Sequence, residues 1–355
     1  MDSARAVTAP LLGFLTWSSP VPTGGNVYDD RLTESLRDLG VEVQRHRVGG
    51  TWPADSERYR DQVAPALEGD RRWLVDSIVA CAVPDLVLAA HDRGRPWTIL
   101  LHSLLSTEIG LSAAERDRYR NLEAVALRAA RRVIVTSQWA ADDLRHRHPE
   151  VDVVVAQPGV LPAPLTAASD TGDRLLSLAS MTPTKNQLSL IEALGRLTEL
   201  RWSVRLVGGD RVAADYTATV RAAVAAGGLV SRVQMTGPLS GADLEQVWAT
   251  TDLLVVTSLS ETYGMVVVEA LSRGVPAVVS DGTGAVEALG QVAGERPGAA
   301  IPPGQPDVLA QVLRDWLTDS DLRCRWRATA LLRRDSLAVT TWADCARTVR
   351  TAMSQ

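Results

Sequence analysis

The sequence predicts an α/β protein of two Rossmann-like, doubly wound domains facing a central cleft. Short apolar runs alternate with longer amphipathic ones along most of the chain, the pattern of strands and crossover helices in a parallel sheet. The alternation breaks at AQPGVLPAPLTAASDTGD (156–173), a stretch with Pro, Gly and small residues and no periodicity, which reads as a linker. A length of 355 residues is too great for one ordinary domain and comfortable for two. The expected boundaries are 1–160 for the N-terminal domain, 161–174 for the linker and 175–335 for the C-terminal domain, followed by a last helical segment, 336–355.

In the first series, LLGFLTW (11–17) reads as a buried strand. TGGN (23–26) breaks it, and a helix over 27–40 ends at Gly40. VEVQRHRV (41–48) alternates like a strand, and PDLVLAA (84–90), WTILLHS (97–103) and RRVIVTS (131–137) read as further strands, with a helix over about 112–130. After the linker, strands are expected at 175–180, 203–208, 233–237, 252–258 and 276–281, with helices at about 186–198, 214–227, 241–249 and 264–273. Residues 336–353 read as a helix with Leu337, Trp342, Cys345 and Val349 near one face.

Composition narrows the function. Net charge is −5, which argues against bulk nucleic-acid binding and weighs against docking on anionic lipid. No apolar run reaches the ~18–20 residues of a membrane span, and the N-terminus lacks a basic segment followed by a long apolar core. Cys81, Cys324 and Cys345 form no CxxC pair and read as reduced thiols. A soluble, cytoplasmic protein is expected.

In doubly wound sheets ligands bind outside the carboxyl ends of the strands, so the loops there should carry the chemistry. In SLSETYGMVVVEALSRGVPAVVSD (258–281), Glu261 lies in such a loop, Gly264 opens a helix and Glu269 follows within it. The helix start offers free N–H groups at Tyr263, Gly264, Met265 and Val266, which suit an anion. The two carboxylates are too far apart to share a proton and suit two hydroxyl-bearing parts of one long ligand. On spacing alone, two solvated glutamates on a surface helix would be the better reading. In ASMTPTKNQ (179–187), Lys185 is the only lysine among 37 basic residues. A compact ammonium with rotatable donors can bridge two phosphates.

The segment from Glu261 to Glu269 resembles the E-x7-E motif of retaining glycosyltransferases of family 4, which have the GT-B fold. TGGNVYDDRLTESLRDLGVEV resembles that family's glycine-rich loop and first helix, VIVTSQW the end of its N-terminal sheet, and ASMTPTKNQ its donor-phosphate motif. The resemblance implies transfer of a sugar from a nucleoside-diphosphate sugar, UDP- or GDP-linked, to a nucleophile, with no cofactor and no metal. It implies that Lys185 binds the donor pyrophosphate, Glu261 the transferred sugar and Glu269 the ribose. Gly24 and Gly25 would approach the phosphate, and His102 would lie beside the transferred sugar. The donor would bind the C-terminal domain and the acceptor the N-terminal one, and the last helix would cross back to the N-terminal domain. Many relatives carry Arg where this chain has Ser180, so phosphate contact falls to Lys185, Ser180 or Thr182, backbone amides and Arg211.

The acceptor is a small molecule or a glycan, and the low positive charge tilts toward a small soluble metabolite. A nucleotide-sugar epimerase or phosphorylase on the same fold, and a non-catalytic nucleotide-sugar-binding subunit, are the alternatives. DSD (319–321) looks like a metal motif but sits at a helix start, where capping is the better reading. The Arg-rich helix at 116–132, with Glu115, Asp117 and Glu123 interleaved, reads as a solvated face.

Overall fold

The structure, a computed structural model, describes residues 11–19, 23–50, 52–68 and 71–355. They form two compact units. One holds the described residues up to Thr107 together with Leu111–Gly159 and Thr341–Gln355; the other holds Glu108–Gly110 and Val160–Thr340.

The first unit is built from β1 (Leu11–Trp17), α1 (Gly24–Asp38), β2 (Glu42–Val48), α2 (Ser56–Tyr59), β3 (Arg72–Asp76), α3 (Ser77–Ala82), α4 (Pro84–Asp92), β4 (Thr98–Leu101), α5 (Ala113–Ala129), β5 (Arg132–Val135), α6 (Gln138–Arg147) and β6 (Val153–Val155). Its strands form one six-stranded sheet in the order β2-β1-β3-β4-β5-β6, and every pair is parallel. Strand β1 pairs on both sides, which is why its run is apolar throughout and Phe14 and Leu15 are fully buried.

Several elements differ from the sequence reading. Residues 84–90 are helix, not strand: Pro84 sits in the first turn of α4, where its fixed φ suits a helix. The buried residues there are Val87 and Ala90, three apart, while Leu88 is exposed. The strand of that region is β3, whose RWLVD has too few apolar residues to stand out. The short edge strand β6 was likewise not foreseen. Helix α1 starts at Gly24 rather than 27, because Thr23 and Asn26 form a capping box around its first turn. Glu123 does not lie on a solvated face: it is buried, and its carboxylate accepts from Ser106 N (2.8 Å) and Ser106 Oγ (2.6 Å).

The second unit runs β7 (Arg174–Leu178), α7 (Gln187–Gly195), β8 (Ser203–Val207), α8 (Ala214–Ala226), β9 (Val233–Gly237), α9 (Gly241–Ala249), β10 (Leu253–Val256), α10 (Met265–Leu271), β11 (Ala277–Ser280), α11 (Gly284–Leu289), β12 (Gly298–Ile301), α12 (Pro306–Thr318) and α13 (Ser320–Leu337). Its six strands, also all parallel, lie in the order β12-β11-β10-β7-β8-β9. The edge strand β12, GAAI, was invisible to apolar periodicity. At the amino ends of the strands, fully buried Asp252 binds Arg174 Nε (2.9 Å) and Ser169 Oγ (2.6 Å). Burial pushes that carboxyl up, but these hydrogen bonds hold it below its ordinary value. Thr166 N donates to Arg273 O and its hydroxyl to Trp248 O, which ties the irregular 161–174 segment down. Asp319 caps α13 through Oδ1, which accepts from Asp321 N and Leu322 N.

The segment expected as one helix over 336–353 is two pieces. Helix α13 stops at Leu337, and α14 (Trp342–Ser354) begins behind a Thr341–Asp344 capping box. Helix α14 groups with the first unit and packs on α1: the Trp342 and Tyr28 rings meet edge to face at 5.2 Å. The Tyr28 hydroxyl donates to Ala156 O at 2.7 Å, with Cys345 Sγ 3.0 Å away. Cys81 and Cys345 are buried, Cys324 is exposed, and all three are free thiols. Among the described residues, no helix is long and apolar enough to cross a membrane.

Candidate functional site

Both sheets change winding direction once. In the second unit β8 lies on one side of β7 and β10 on the other, so the switch falls between β7 and β10. At such a point the two following loops splay apart and leave room for a ligand. The loop after β7 carries Ser180, Thr182 and Lys185, and the loop after β10 carries Ser258 and Glu261. Lys185 Nζ donates to Glu261 Oε1 at 2.6 Å, and Ser258 Oγ donates to the same oxygen at 2.8 Å. The Lys185 side chain is 28% exposed and that of Glu261 14%, so the pair is sheltered but reachable.

Hydrogen bonds to backbone carbonyls hold the loops in place. Leu259 N donates to Thr184 O (2.7 Å), and Thr257 Oγ1 to Lys185 O (3.0 Å). Met181 N donates to Gly209 O (2.8 Å), and Gln187 Nε2 to Ser180 O (3.0 Å). Lys185 therefore projects from a fixed backbone. An ammonium has three donors, so one bond to Glu261 leaves two for a ligand.

Gly264, at φ 89°, adopts a left-handed conformation as the N-cap of α10 and provides no capping side chain. Gly284 N donates to Glu261 O (2.8 Å), and a Cβ on Gly284 would lie 2.2 Å from Thr262 O, so only glycine lets these loops meet. Helix α10 is seven residues long, shorter than expected. The Tyr263 side chain is a core residue, while Met265 and Val266 are half-buried. Half-buried Glu269 belongs to a different group of charges from Lys185 and Glu261. Burial of its carboxyl pushes it up to about 7, against a downward pull from Arg273 and with a further upward push from Glu245. Arg211 lies on the exposed loop after β8.

In the first unit the switch lies between β1 and β3. His102 follows β4, Asp76 ends β3, and Asp29 sits in α1, the helix after β1. His102 Nε2 lies 2.8 Å from Asp29 Oδ1. Gly24 and Gly25 form the first turn of α1, and a Cβ on Gly25 would come 3.1 Å from the His102 ring. Among the described residues, Asp29, Asp76 and His102 are the group of such side chains whose polar atoms all lie within 4.8 Å of one another. The direct 2.8 Å contact is at hydrogen-bond distance.

Sequence reasoning missed Asp29 and Asp76. Asp76 ends a strand that was not recognised. Asp29 was findable: in α1 the buried set Asp29, Leu32, Thr33 and Leu36 follows the helical spacing of an apolar stripe, and a carboxylate on that stripe needs a partner.

Residues 166–333 match the family described as Glycosyl transferases group 1. The D-inositol 3-phosphate glycosyltransferase of Jonesia denitrificans is 28% identical over 164 residues, 45% of this chain and 38% of that protein. The chain thus spans well under half the length of that curated relative. The 2-deoxystreptamine N-acetyl-D-glucosaminyltransferase of Streptomyces fradiae is 25% identical over 363 residues, 85% of this chain and 84% of the other. Among solved structures, sucrose-phosphate synthase from Thermosynechococcus elongatus superposes with a TM-score of 0.80 at 18% identity, covering 98% of each chain. Anabaena HepE in complex with UDP-glucose superposes with a TM-score of 0.73 at 20% identity, covering 97% of this chain and 100% of that one. The chain therefore has the GT-B fold seen in these glycosyltransferases, its residues 166–333 match the group 1 family, and placement in family 4 is consistent with the matches.

Proposed function

We propose that this chain is a retaining, metal-independent hexosyltransferase that moves a sugar from a nucleoside-diphosphate sugar to a nucleophile on a small soluble acceptor. The observation that carries the reading is the Lys185–Glu261 contact of 2.6 Å at the switch point of the group 1 domain. A diphosphate leaving group gains negative charge as the glycosidic bond breaks. A preorganised ammonium at that place is stronger in the transition state than in the ground state. Glu261, held by Lys185 and Ser258, suits the hydroxyls of the transferred sugar, and Glu269 those of the ribose. The glycosidic oxygen departs with the bonding pair. The acceptor oxygen attacks from the same face and passes its proton to the departing phosphate, so the configuration is kept.

The likeness to a structure solved with UDP-glucose supports a nucleotide-sugar donor, with UDP preferred to GDP. The Streptomyces relative, named for transfer to 2-deoxystreptamine, supports a small polyhydroxylated acceptor. The test incubates the chain with UDP-glucose, UDP-N-acetylglucosamine and GDP-mannose beside a panel of cyclitols and cyclitol phosphates, with and without EDTA. The expected product is an α-glycoside, identified by proton coupling at the anomeric carbon and insensitive to chelator. A β-glycoside sinks retention. Loss of turnover with EDTA, restored by Mn²⁺, sinks metal independence. Release of only free or epimerised sugar favours the epimerase or phosphorylase reading.

A further inference from the structure

We propose that Asp29 and Asp76 are positioning residues of the transfer reaction: together they form a buried, charge-matched frame that fixes the His102 ring and holds it as the imidazolium. The proposal rests on the glycosyltransferase reading. Three separate elements bring these side chains to the switch point of the first sheet, where that sheet would meet a ligand.

The charge balance is the first argument. Asp29 is fully buried and Asp76 nearly so. Two carboxylates cannot both stay ionised in such a place without nearby positive charge. Asp29 Oδ1 takes the His102 Nε2 contact, while Oδ2 has no hydrogen-bond partner and lies 4.0 Å from Arg45 Nη2. Asp76 Oδ1 is spent on capping α3, where it accepts from Ile78 N at 2.7 Å. Arg45 supplies one positive charge, and a proton on His102 supplies the second at hydrogen-bond distance.

The packing is the second argument. The Tyr28 ring meets His102 edge to face at 5.2 Å, and Gly25 lies close against the imidazole. The backbone N–H of His102 donates to Ser77 Oγ. The ring has little freedom to turn, and its side chain is 10% exposed, so an edge remains reachable. The titratable and charged groups that meet it are Tyr28 and Asp29 from α1 and Asp76 from β3, with Arg45 from β2 acting on Asp29 and Cys81 from α3 on Asp76. Burial alone would lower His102. The charge and hydrogen bond of Asp29 and the charge of Asp76 override it and leave the imidazole above its ordinary value. Burial pushes Asp76 up, the charge of His102 pulls it down, and Asp29 pushes it up again. A fixed imidazolium suits a sugar hydroxyl or the growing charge of the leaving group.

The test uses the full chain with ¹⁵N-labelled histidine side chains, His102→Gln identifying the His102 signals by their loss. In the wild-type chain His102 should titrate above the ordinary value of about 6.5. The midpoint should fall in Asp29→Asn and in Asp76→Asn. A wild-type midpoint at or below the ordinary value overturns the frame, and this measurement needs no variant to fold. In parallel, kcat should fall on the alkaline side of its pH profile. In each Asn variant that limb should move to lower pH by the shift seen in NMR, about tenfold lower kcat per pH unit at high pH. Donor KM should hardly change. Loss of activity by the same factor at every pH, with a lowered Tm, would mean a merely structural role and would overturn the proposal. The failures are separable: no donor turnover with a high His102 midpoint sinks the glycosyltransferase reading alone, and turnover with an ordinary midpoint sinks the frame alone.

Discussion

The two sheets place polar clusters at equivalent points, but they handle charge in opposite ways. In the second unit, Lys185 and Glu261 stand half-sheltered on loops, one cation against one anion, with donors to spare. In the first, Asp29 has no exposure at all, and its partner His102 is wedged between α1 and the end of β4. A pair that must exchange its partner for a ligand has to stay reachable. A charge that only has to be present can be walled in, and its environment then sets its protonation. The first cluster should therefore be sensitive to packing and the second to ligand charge.

The largest test of that contrast is Trp342→Ala. Trp342, the buried first residue of α14, braces Tyr28, which in turn abuts His102. Removing a buried Trp costs about 3–5 kcal/mol. Denaturant unfolding should show a loss of that order, and the His102 signal should shift or broaden. Nucleoside-diphosphate affinity, which depends on the other unit, should stay near wild type. A loss under ~1 kcal/mol would mean that α14 does not brace α1.

Lys185→Ala comes next. It should weaken donor binding and slow transfer, together by about 1.5–3 kcal/mol, or roughly 10–100-fold, without unfolding the chain. Lys185→Arg should recover only part, because a planar fork fits a point-charge site poorly. Steady-state kinetics and calorimetry read both effects, and near-wild-type kinetics in the Ala variant would remove Lys185 from the mechanism.

This contrast also explains what the sequence could reveal. Lys185, Gly264, Glu261 and Glu269 lie in two continuous runs, each spanning a strand end, a loop and a helix start, so each run could be matched whole to a family motif. The His102 cluster is assembled from residues 29, 76 and 102, and no local pattern links them. Of the pair Asp29 and Asp30, one is buried and the other is exposed and bound to Arg45; only the phase of the helix tells them apart. The alternation of strands and helices was legible wherever strands were apolar and central. It failed at RWLVD, at the short edge strands, and at Pro84, where an apolar run hid a helix.

The two glutamates of the second unit should separate by about tenfold effects on different constants. A neutral hydrogen bond in place of a charged one loses about 1–1.5 kcal/mol. Glu261→Gln should lower kcat, because the transferred sugar becomes oxocarbenium-like and its contacts tighten in the transition state. The structure adds a sharper expectation: Glu261 pairs with Lys185 and offsets its charge, so this variant should bind the bare nucleoside diphosphate as well as wild type or better. Glu269→Gln should raise donor KM and weaken that binding. Calorimetry beside kinetics decides it, and the opposite pattern reverses the assignment.

The smallest effect is a pH dependence of nucleotide affinity that Glu269 should produce. Burial disfavours the charged form and pushes its carboxyl up to about 7. An ordinary glutamate in the unfolded chain titrates near 4.3. The folded state thus binds this proton more tightly than the unfolded one, so the group favours folding at low pH, and that contribution is lost as pH rises toward 7. Ribose binding needs the opposite state, because a carboxylate accepts from two hydroxyls and a neutral acid does so less well. Affinity for the nucleoside diphosphate should accordingly rise by about eightfold from pH 6 to pH 7.5 and then level off, as the ionised fraction saturates. Unbound stability should fall over the same range. In Glu269→Gln the affinity trend should flatten, the fall of stability should lessen but persist because Asp76 and His102 are also raised in the folded state, and the His102-dependent fall of kcat at high pH should persist. Affinity that keeps its slope in Glu269→Gln would place the titrating group elsewhere, and a wild-type affinity flat from pH 6 to pH 8 would mean that Glu269 meets the nucleotide already ionised.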